Sequence, residues 1–264
     1  MIEPSSPSPV SASLAGKVAF VAGGTGVIGE AIARGFAAAG AKVVVGGPED
    51  SRLHEVTDGI AKTGADVRAV AFDARSVKDI GRAVDAVCDH FGRCDILVNS
   101  VGIHREQLLL EATEESYDSV IAINLKAAMF LGQAVARRQV QTGQGGKQVH
   151  LLSVRASLGL MGKGYSAYTS SKGGLAMIVK QHAVELAPYR INVNGVAPTF
   201  VKSEMAMHVL KDPVASAKLF ERIPLGRIAD PEDIVGPTLF FCGPGSDFVT
   251  GQILYVDGGL TACQ

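Results

Sequence analysis

The chain has 264 residues, room for one large α/β domain and too few for two full ones. Net charge is −1 and the basic residues are scattered, with Arg137–Arg138 the one adjacent pair, so the electrostatic footprint of a nucleic-acid binder is missing. Apolar residues make up 47 %, in short runs broken by Gly and Pro and none long enough for a bilayer, which predicts a soluble, cytoplasmic protein.

The first thirteen residues, MIEPSSPSPVSAS, lack a basic start and an apolar core and predict a disordered tail instead of a signal peptide, with one domain from 14 to 264. KVAFVAGG (Lys17–Gly24) predicts a strand running into glycines, and TGVIGEAIARGFAAAG a helix with Ile28, Ile32 and Phe36 on one face. Strand, glycine turn and helix in that order let backbone N–H groups receive a pyrophosphate: Gly23 makes the turn, Gly26 permits close approach and Gly29 lets the helix lie on the strand. Next come AKVVV as a strand, a polar helix from about Asp50 to Thr63, and DVRAVAF as a strand ending in Asp73. A Ser76-capped helix then runs to Phe91, and DILVNSVG (Asp95–Gly102) is the fourth strand. This βαβ rhythm predicts a parallel sheet with right-handed crossovers. Cys88, His90 and Cys94 follow the face Val77, Ile80, Val84, Val87, Phe91, so packing and no metal site is expected. With Cys242 and Cys263 they show no CxxC spacing and read as reduced thiols.

A long helix follows Thr113 and carries Asn124 within VIAINLKAAMFLG. Asparagine is disfavoured inside a helix, so this amide is either a satisfied core group or faces a site. Gln139–Gln148 reads as a polar surface loop, and VHLLS as a strand ending on Ser153. The helix that follows runs to about Ala187, ahead of Pro188, and Arg190–Pro198 is a sixth strand. Thr199–Pro224 has no clean period but holds Met205, Met207, Val209, Leu210, Leu219 and Phe220, the composition of a lid over a pocket or of an ordinary surface excursion. Asp230–Pro231 starts another helix, and Ile253–Gly259 is a last strand.

Among the five tyrosines only Tyr168 has a lysine four residues on, Lys172, so the two stand on one helical face. Bringing a phenol from about 10 to about 7 takes roughly 4 kcal/mol, which one cation at about 4 Å and an effective dielectric near 20 supplies. Ser153, at its strand end, would aim a hydroxyl at whatever Tyr168 touches, so a donor and a proton-transfer group converge on one substrate oxygen.

Taken together, the glycine turn, NSVG at Asn99, Asn124, Ser153, YTSSK at Tyr168–Lys172 and PLGRIADPEDIV…TGQILYVDGG resemble the short-chain dehydrogenase/reductase family in its single-domain form, over roughly Leu14 to Ala262. The resemblance implies a doubly wound (Rossmann-type) parallel sheet of about seven strands with helices on both faces, binding NAD or NADP at its carboxyl edge. It implies Tyr168 as catalytic acid/base, Lys172 lowering its pKa and holding the nicotinamide ribose, Ser153 orienting the carbonyl, and Asn124 supporting a water relay. Cofactor contacts carried over are Gly23, Thr25, Gly26, Val27, Ile28, Gly29, Asp73, Ala74, Asn99, Val101, Gly102, Tyr168, Lys172, Pro198, Thr199 and Val201, with Asp73 on the adenine amino group. A homotetramer built through the long helices and the C-terminal strand is also implied.

Departures from the family pattern are Ala22 for threonine, Val27 for glycine, NSVG for NNAG, and Thr199 after Pro198 where the family has glycine. The interval from Ser153 to Tyr168 is also longer than usual, leaving Ser157 as a second candidate hydroxyl. Gly46, Gly47 and Pro48 occupy the place of the residue that chooses between cofactors; Glu49 and Asp50 just beyond would repel a phosphate, against a single Arg52, which leans to NAD(H). His104 and Arg155 are at positions that often line the substrate pocket and would meet a polar or anionic group, as in a sugar acid or keto acid. The expected activity is hydride transfer between nicotinamide and a secondary alcohol or ketone. A 3-oxoacyl-carrier-protein reductase and a non-catalytic dinucleotide-binding regulator are the alternatives.

Overall fold

A computed structural model of the chain describes residues 13–203 and 213–263. The expected tail up to residue 12 and Met205, Met207, Val209 and Leu210 of the expected lid lie outside the described residues.

Seven parallel strands form one sheet in the order β3-β2-β1-β4-β5-β6-β7. They are β1 Val18–Ala22, β2 Lys42–Gly47, β3 Val67–Ala71, β4 Ile96–Asn99, β5 Gly146–Leu151, β6 Ile191–Pro198 and β7 Ile253–Val256. β1 is buried at all five positions, as an apolar run covered on both faces must be. Its Ala19 and Val21 belong to the core cluster shared with Ile32 and Phe36 of α1 (Val27–Ala38), Leu53 and Val56 of α2 (Ser51–Ala61), and Ile234 and Phe241 of α8 (Glu232–Cys242). Val18, Phe20 and Ala22 point the other way, toward Ile80 and Val84 of α3 (Val77–Phe91) and Leu131 of α5 (Ala127–Thr142). α6 (Ser166–Leu186) packs beside α5 on this second face through Leu175 and Val179.

Local signals set the boundaries. Asp50 and Ser76 cap α2 and α3 by accepting from Leu53 N and Asp79 N, and Gly92, at φ 75°, ends α3 in the left-handed conformation. α4 (Glu114–Ile121) is capped by Thr113 and continues through one π turn, Ala122–Lys126, into α5.

Two expectations are corrected here. Glu114–Thr142 is a continuous helical stretch of 29 residues, long and apolar enough by composition to cross a bilayer. Its Ala127, Ala128, Leu131 and Val135 are buried in the sheet's helical layer, so it serves as a core helix. Gln139–Gln148 is no surface loop either. α5 runs to Thr142 and β5 starts at Gly146, while both glutamines are buried. Gln139 donates to Asp95 O at 3.0 Å, and Gln148 donates to Gly132 O and to Gln139 Oε1, each at 3.1 Å. Amide pairs read as polar in sequence, yet bonded to backbone and to each other they pass into a core.

Strand order reverses between β1 and β4, and in an open α/β sheet that reversal leaves a crevice at the carboxyl edge. Both halves of the candidate site sit along this edge. α7 (Pro213–Phe220) lies farther along the chain, and Leu219 with Ile223, Ile228 and Leu260 forms a small separate cluster.

Candidate active site

The β1–α1 turn is built by leaving side chains out. Gly23 has φ 78°, and a Cβ there would lie 2.7 Å from Ser100 C and Val101 N. A Cβ on Gly29 would lie 2.2 Å from Gly23 O, so glycine alone lets α1 start this close to β1. α1 begins after Gly26 with no side-chain cap, leaving its first N–H groups open to an anion. They face a cleft of about 640 Å³ lined by Gly23, Thr25, Gly26, Asp73, Ala74, Val101 and Gly102 among others. Bare N–H groups, glycine walls and an apolar cleft suit a dinucleotide.

Of the other carried-over cofactor residues, Val27 is exposed at the head of α1, Ile28 packs on the core and Gly29 is a buried spacer. Asn99 lies beneath the cleft floor: its Oδ1 accepts from Val101 N at 3.1 Å and its Nδ2 meets His150 Nδ1 at 3.2 Å, so it shapes the β4 loop. Pro198 ends β6, and Val201 bridges to Ala229 and packs on the core. Thr199 lines a separate cavity of about 150 Å³ beside Arg227 and Asp257, its Oγ1 buried without a partner. Asp73 lines the cleft, but Arg75 Nε and Nη2 hold its carboxylate at 3.0 and 2.9 Å and keep its pKa below the usual range. At the end of β2 a Cβ on Gly46 would sit 2.5 Å from Phe20 Cε2 and one on Gly47 2.8 Å from Thr25 Cγ2, so no acid or arginine fits there. Glu49 reaches the cleft wall instead, paired with His54, while Arg52 is held by Glu30 and Glu55.

The second half of the edge is made of buried polar side chains. Ser153 follows β5, and its Oγ accepts from Arg155 N at 3.1 Å and engages the Tyr168 phenol. Ser157 is turned away, donating to Val154 O and accepting from Tyr255 Oη at 2.9 Å, which leaves Ser153 as the hydroxyl beside the tyrosine. Lys172 Nζ lies 5.8 Å from the Tyr168 ring centroid and donates to Leu151 O at 2.8 Å. Asn124 sits in the π turn, where a widened helix lets a polar side chain face inward. Its Oδ1 accepts from Ile103 N at 2.8 Å, and its Nδ2 donates to Ile103 O and Ser171 Oγ. The two readings left open for it therefore merge: the amide is fully bonded and also stands at the site. A Cβ on Gly102 would be 3.6 Å from Asn124 Oδ1 and 3.7 Å from Lys172 Nζ, so both side chains close on that glycine.

The electrostatics correct one expectation. Burial raises the Tyr168 phenol above its ordinary value, with Ser153 and Arg155 opposing it, whereas the expectation was a net depression by Lys172. Burial also pushes Lys172 itself down to about 8. Desolvation penalises both charged forms and outweighs one ammonium standing 5.8 Å from the ring.

His104 is brought to the tyrosine. Its ring centroid is 4.2 Å from that of Tyr165 and 5.0 Å from that of Tyr168, and both ring nitrogens are buried without a partner among the described residues. Gly164 makes the approach: a Cβ there would lie 2.1 Å from Gln107 C, and Gln107 N donates to Gly164 O, stitching the His104 loop to the start of α6. Arg155 is only 4 % exposed. Sequence reasoning missed Tyr165 and Ser171. The pair Tyr165/Tyr168, three apart at a helix start, was the one available signal.

Among the described residues no group of three or more His, Cys, Asp or Glu side chains is placed to hold a metal ion. The four cysteines are unpaired.

A parallel sheet with a glycine cradle at its reversal point and a Ser–Tyr–Lys–Asn constellation beside it is the architecture of a dinucleotide-binding oxidoreductase. The chain belongs to the short-chain dehydrogenase/reductase family. Residues 23–261 match the family model described as Enoyl-(Acyl carrier protein) reductase. The 5-keto-D-gluconate 5-reductase of Escherichia coli K12 is 33 % identical over 248 residues, covering 94 % of this chain and 96 % of that one. The gluconate 5-dehydrogenase of Gluconobacter oxydans is 34 % identical over 249 residues, with 94 % and 96 % covered. Among solved structures, a gluconate 5-dehydrogenase from Burkholderia cenocepacia in complex with NADP and tartrate superposes with a TM-score of 0.92 at 30 % identity, covering 98 % of this chain and all of that one.

Proposed function

We propose that this protein is an NAD(P)-dependent oxidoreductase that interconverts a secondary alcohol and a ketone on a sugar acid or related polyhydroxy acid. The observation that carries the reading is the placement of Tyr168, Ser153, Lys172 and Asn124 at the carboxyl edge beside the glycine cradle. The similarity to sugar-acid reductases and dehydrogenases supports the substrate class. The nicotinamide, when bound, supplies or takes the hydride. Ser153 hydrogen-bonds the substrate oxygen and orients it. Tyr168, held mostly protonated at neutral pH by its raised pKa, donates the proton to that oxygen in the reducing direction; the oxidising direction requires the phenolate and is favoured by alkali. Lys172 holds positive charge at the ribose side of the site, and Asn124 fixes the Ile103 backbone that forms its wall.

For the cofactor, Glu49 at the cleft wall and the engagement of Arg52 and Arg75 by carboxylates leave no unengaged cation among the described residues beside the β2 end for a 2′-phosphate, which supports NAD(H); the NADP-bound relative stands on the other side. Exposed Met129 and Val140 on α5 and Val184 on α6, with Tyr189 just past the end of α6, support assembly of copies through those helices. The test is a panel of sugar acids, neutral ketoses and a 3-oxoacyl thioester, each with NAD(H) and NADP(H), followed by nicotinamide absorbance. Turnover of sugar acids is expected; preference for the thioester, or no turnover of any secondary carbonyl, overturns the reading.

A further inference from the structure

Arg155 is an unusual cation in this molecule. The residue is 4 % exposed, Nη1 donates to Gly159 O at 2.6 Å, and Nη2 is buried without a partner among the described residues. No carboxylate among the described residues reaches it; the titratable groups around it are Arg222, which repels it, and the neutral phenols of Tyr165 and Tyr168. Arg222 likewise makes no ion pair among the described residues, in contrast to Arg34, Arg75, Arg82, Arg93, Arg138 and Arg227, each of which pairs with Asp or Glu. Two guanidinium groups near enough to repel, one of them desolvated, carry a cost that an internal acid would remove. Among the described residues none is provided, although acids pair with arginines elsewhere on the same molecule.

We infer that the counter-charge is the substrate's own carboxylate, received by Arg155 Nη2 beside the catalytic tyrosine with Arg222 closing on it from the α7 side. This deepens the oxidoreductase reading and rests on it. One free N–H edge and a second guanidinium form a two-point clamp suited to a planar carboxylate, and Arg155 is pre-set for it because Nη1 is already fixed on the Leu158–Gly159 carbonyls. His104, kept neutral by burial, stands on the same tyrosine pair with both nitrogens unsatisfied and is suited to a substrate hydroxyl, not to a second negative charge.

The test is a comparison of D-gluconate with D-glucitol, which differ in having a carboxylate or a CH₂OH at one end, by titration calorimetry on the full chain with NADH present, so that affinity is read without turnover. Wild type is expected to bind gluconate at least tenfold more tightly, a preference that weakens with added KCl. Arg155→Lys is expected to lose about tenfold to a hundredfold of gluconate affinity with glucitol affinity held. Arg222→Ala, at an exposed position that leaves the fold intact, is expected to lose about threefold to tenfold. Equal losses for both ligands would mean that Arg155 only positions its loop; that result, absence of any gluconate preference in wild type, or tighter binding of glucitol 6-phosphate than of gluconate overturns the assignment. Failure of the oxidoreductase reading would appear separately, as absent turnover in the absorbance panel.

Discussion

The two halves of the sheet's carboxyl edge solve opposite problems. At the β1–α1 turn and the neighbouring end of β2, recognition comes from missing side chains: Gly23, Gly29 and Gly46 stand where a Cβ would meet backbone or a phenyl ring at 2.7 Å or less. At the β5–α6 half it comes from side chains driven into a desolvated place, with Tyr168 raised and Lys172 lowered in proton affinity by burial. The first half holds its shape through sterics. The second stores its chemistry as titration that the surroundings resist. A dinucleotide needs a fit; a proton transfer needs groups whose charged forms are poised, and only burial poises them.

The largest expected separation of the halves comes from Tyr168→Phe, which removes the transferable proton and keeps the ring. Turnover should fall about a thousandfold or more while NADH affinity, read by fluorescence titration, stays within about threefold. A large loss of NADH affinity would mean that the halves are not separable. Next is Lys172→Met. Lys172 titrates near 8 in the folded chain and at 10.5 in the unfolded one, so folding carries a penalty below pH 8 that is relieved as pH rises from 8 toward 10.5. The stability gained by the variant over wild type, measured by urea unfolding, should therefore shrink by roughly 3 kcal/mol between pH 7 and the alkaline end of that window. A difference independent of pH would place the amine in water. The smallest effect is expected at Gly29→Ala, whose Cβ would meet Gly23 O at 2.2 Å. It should cost about 1–3 kcal/mol of stability and weaken cofactor binding, without moving the pH profile of whatever activity remains.

Much of the architecture was legible because apolar periodicity and turn residues act locally. Short apolar runs and a period-four pattern located the strands and helices, Ser76 and Thr113 marked helix starts, and four-residue spacing put Tyr168 and Lys172 on one face. Polar residues were the hard part. Gln139 and Gln148 read as loop and are core, because their partners, Asp95 O and Gly132 O, come from other elements. Asn124 could be placed in a helix but not given its partner, since Ile103 lies 21 residues away in sequence.

The sequence by itself determined the strand–helix alternation, the glycine cradle and the identity of the reactive side chains, all of which follow from steric and periodic rules acting over a few residues. Only the tertiary structure decided which serine faces the tyrosine, that burial raises the phenol, and that no acid among the described residues pairs with Arg155. Those three outcomes are sums of desolvation and distance over parts of the chain far apart in sequence, and no local pattern encodes such a sum.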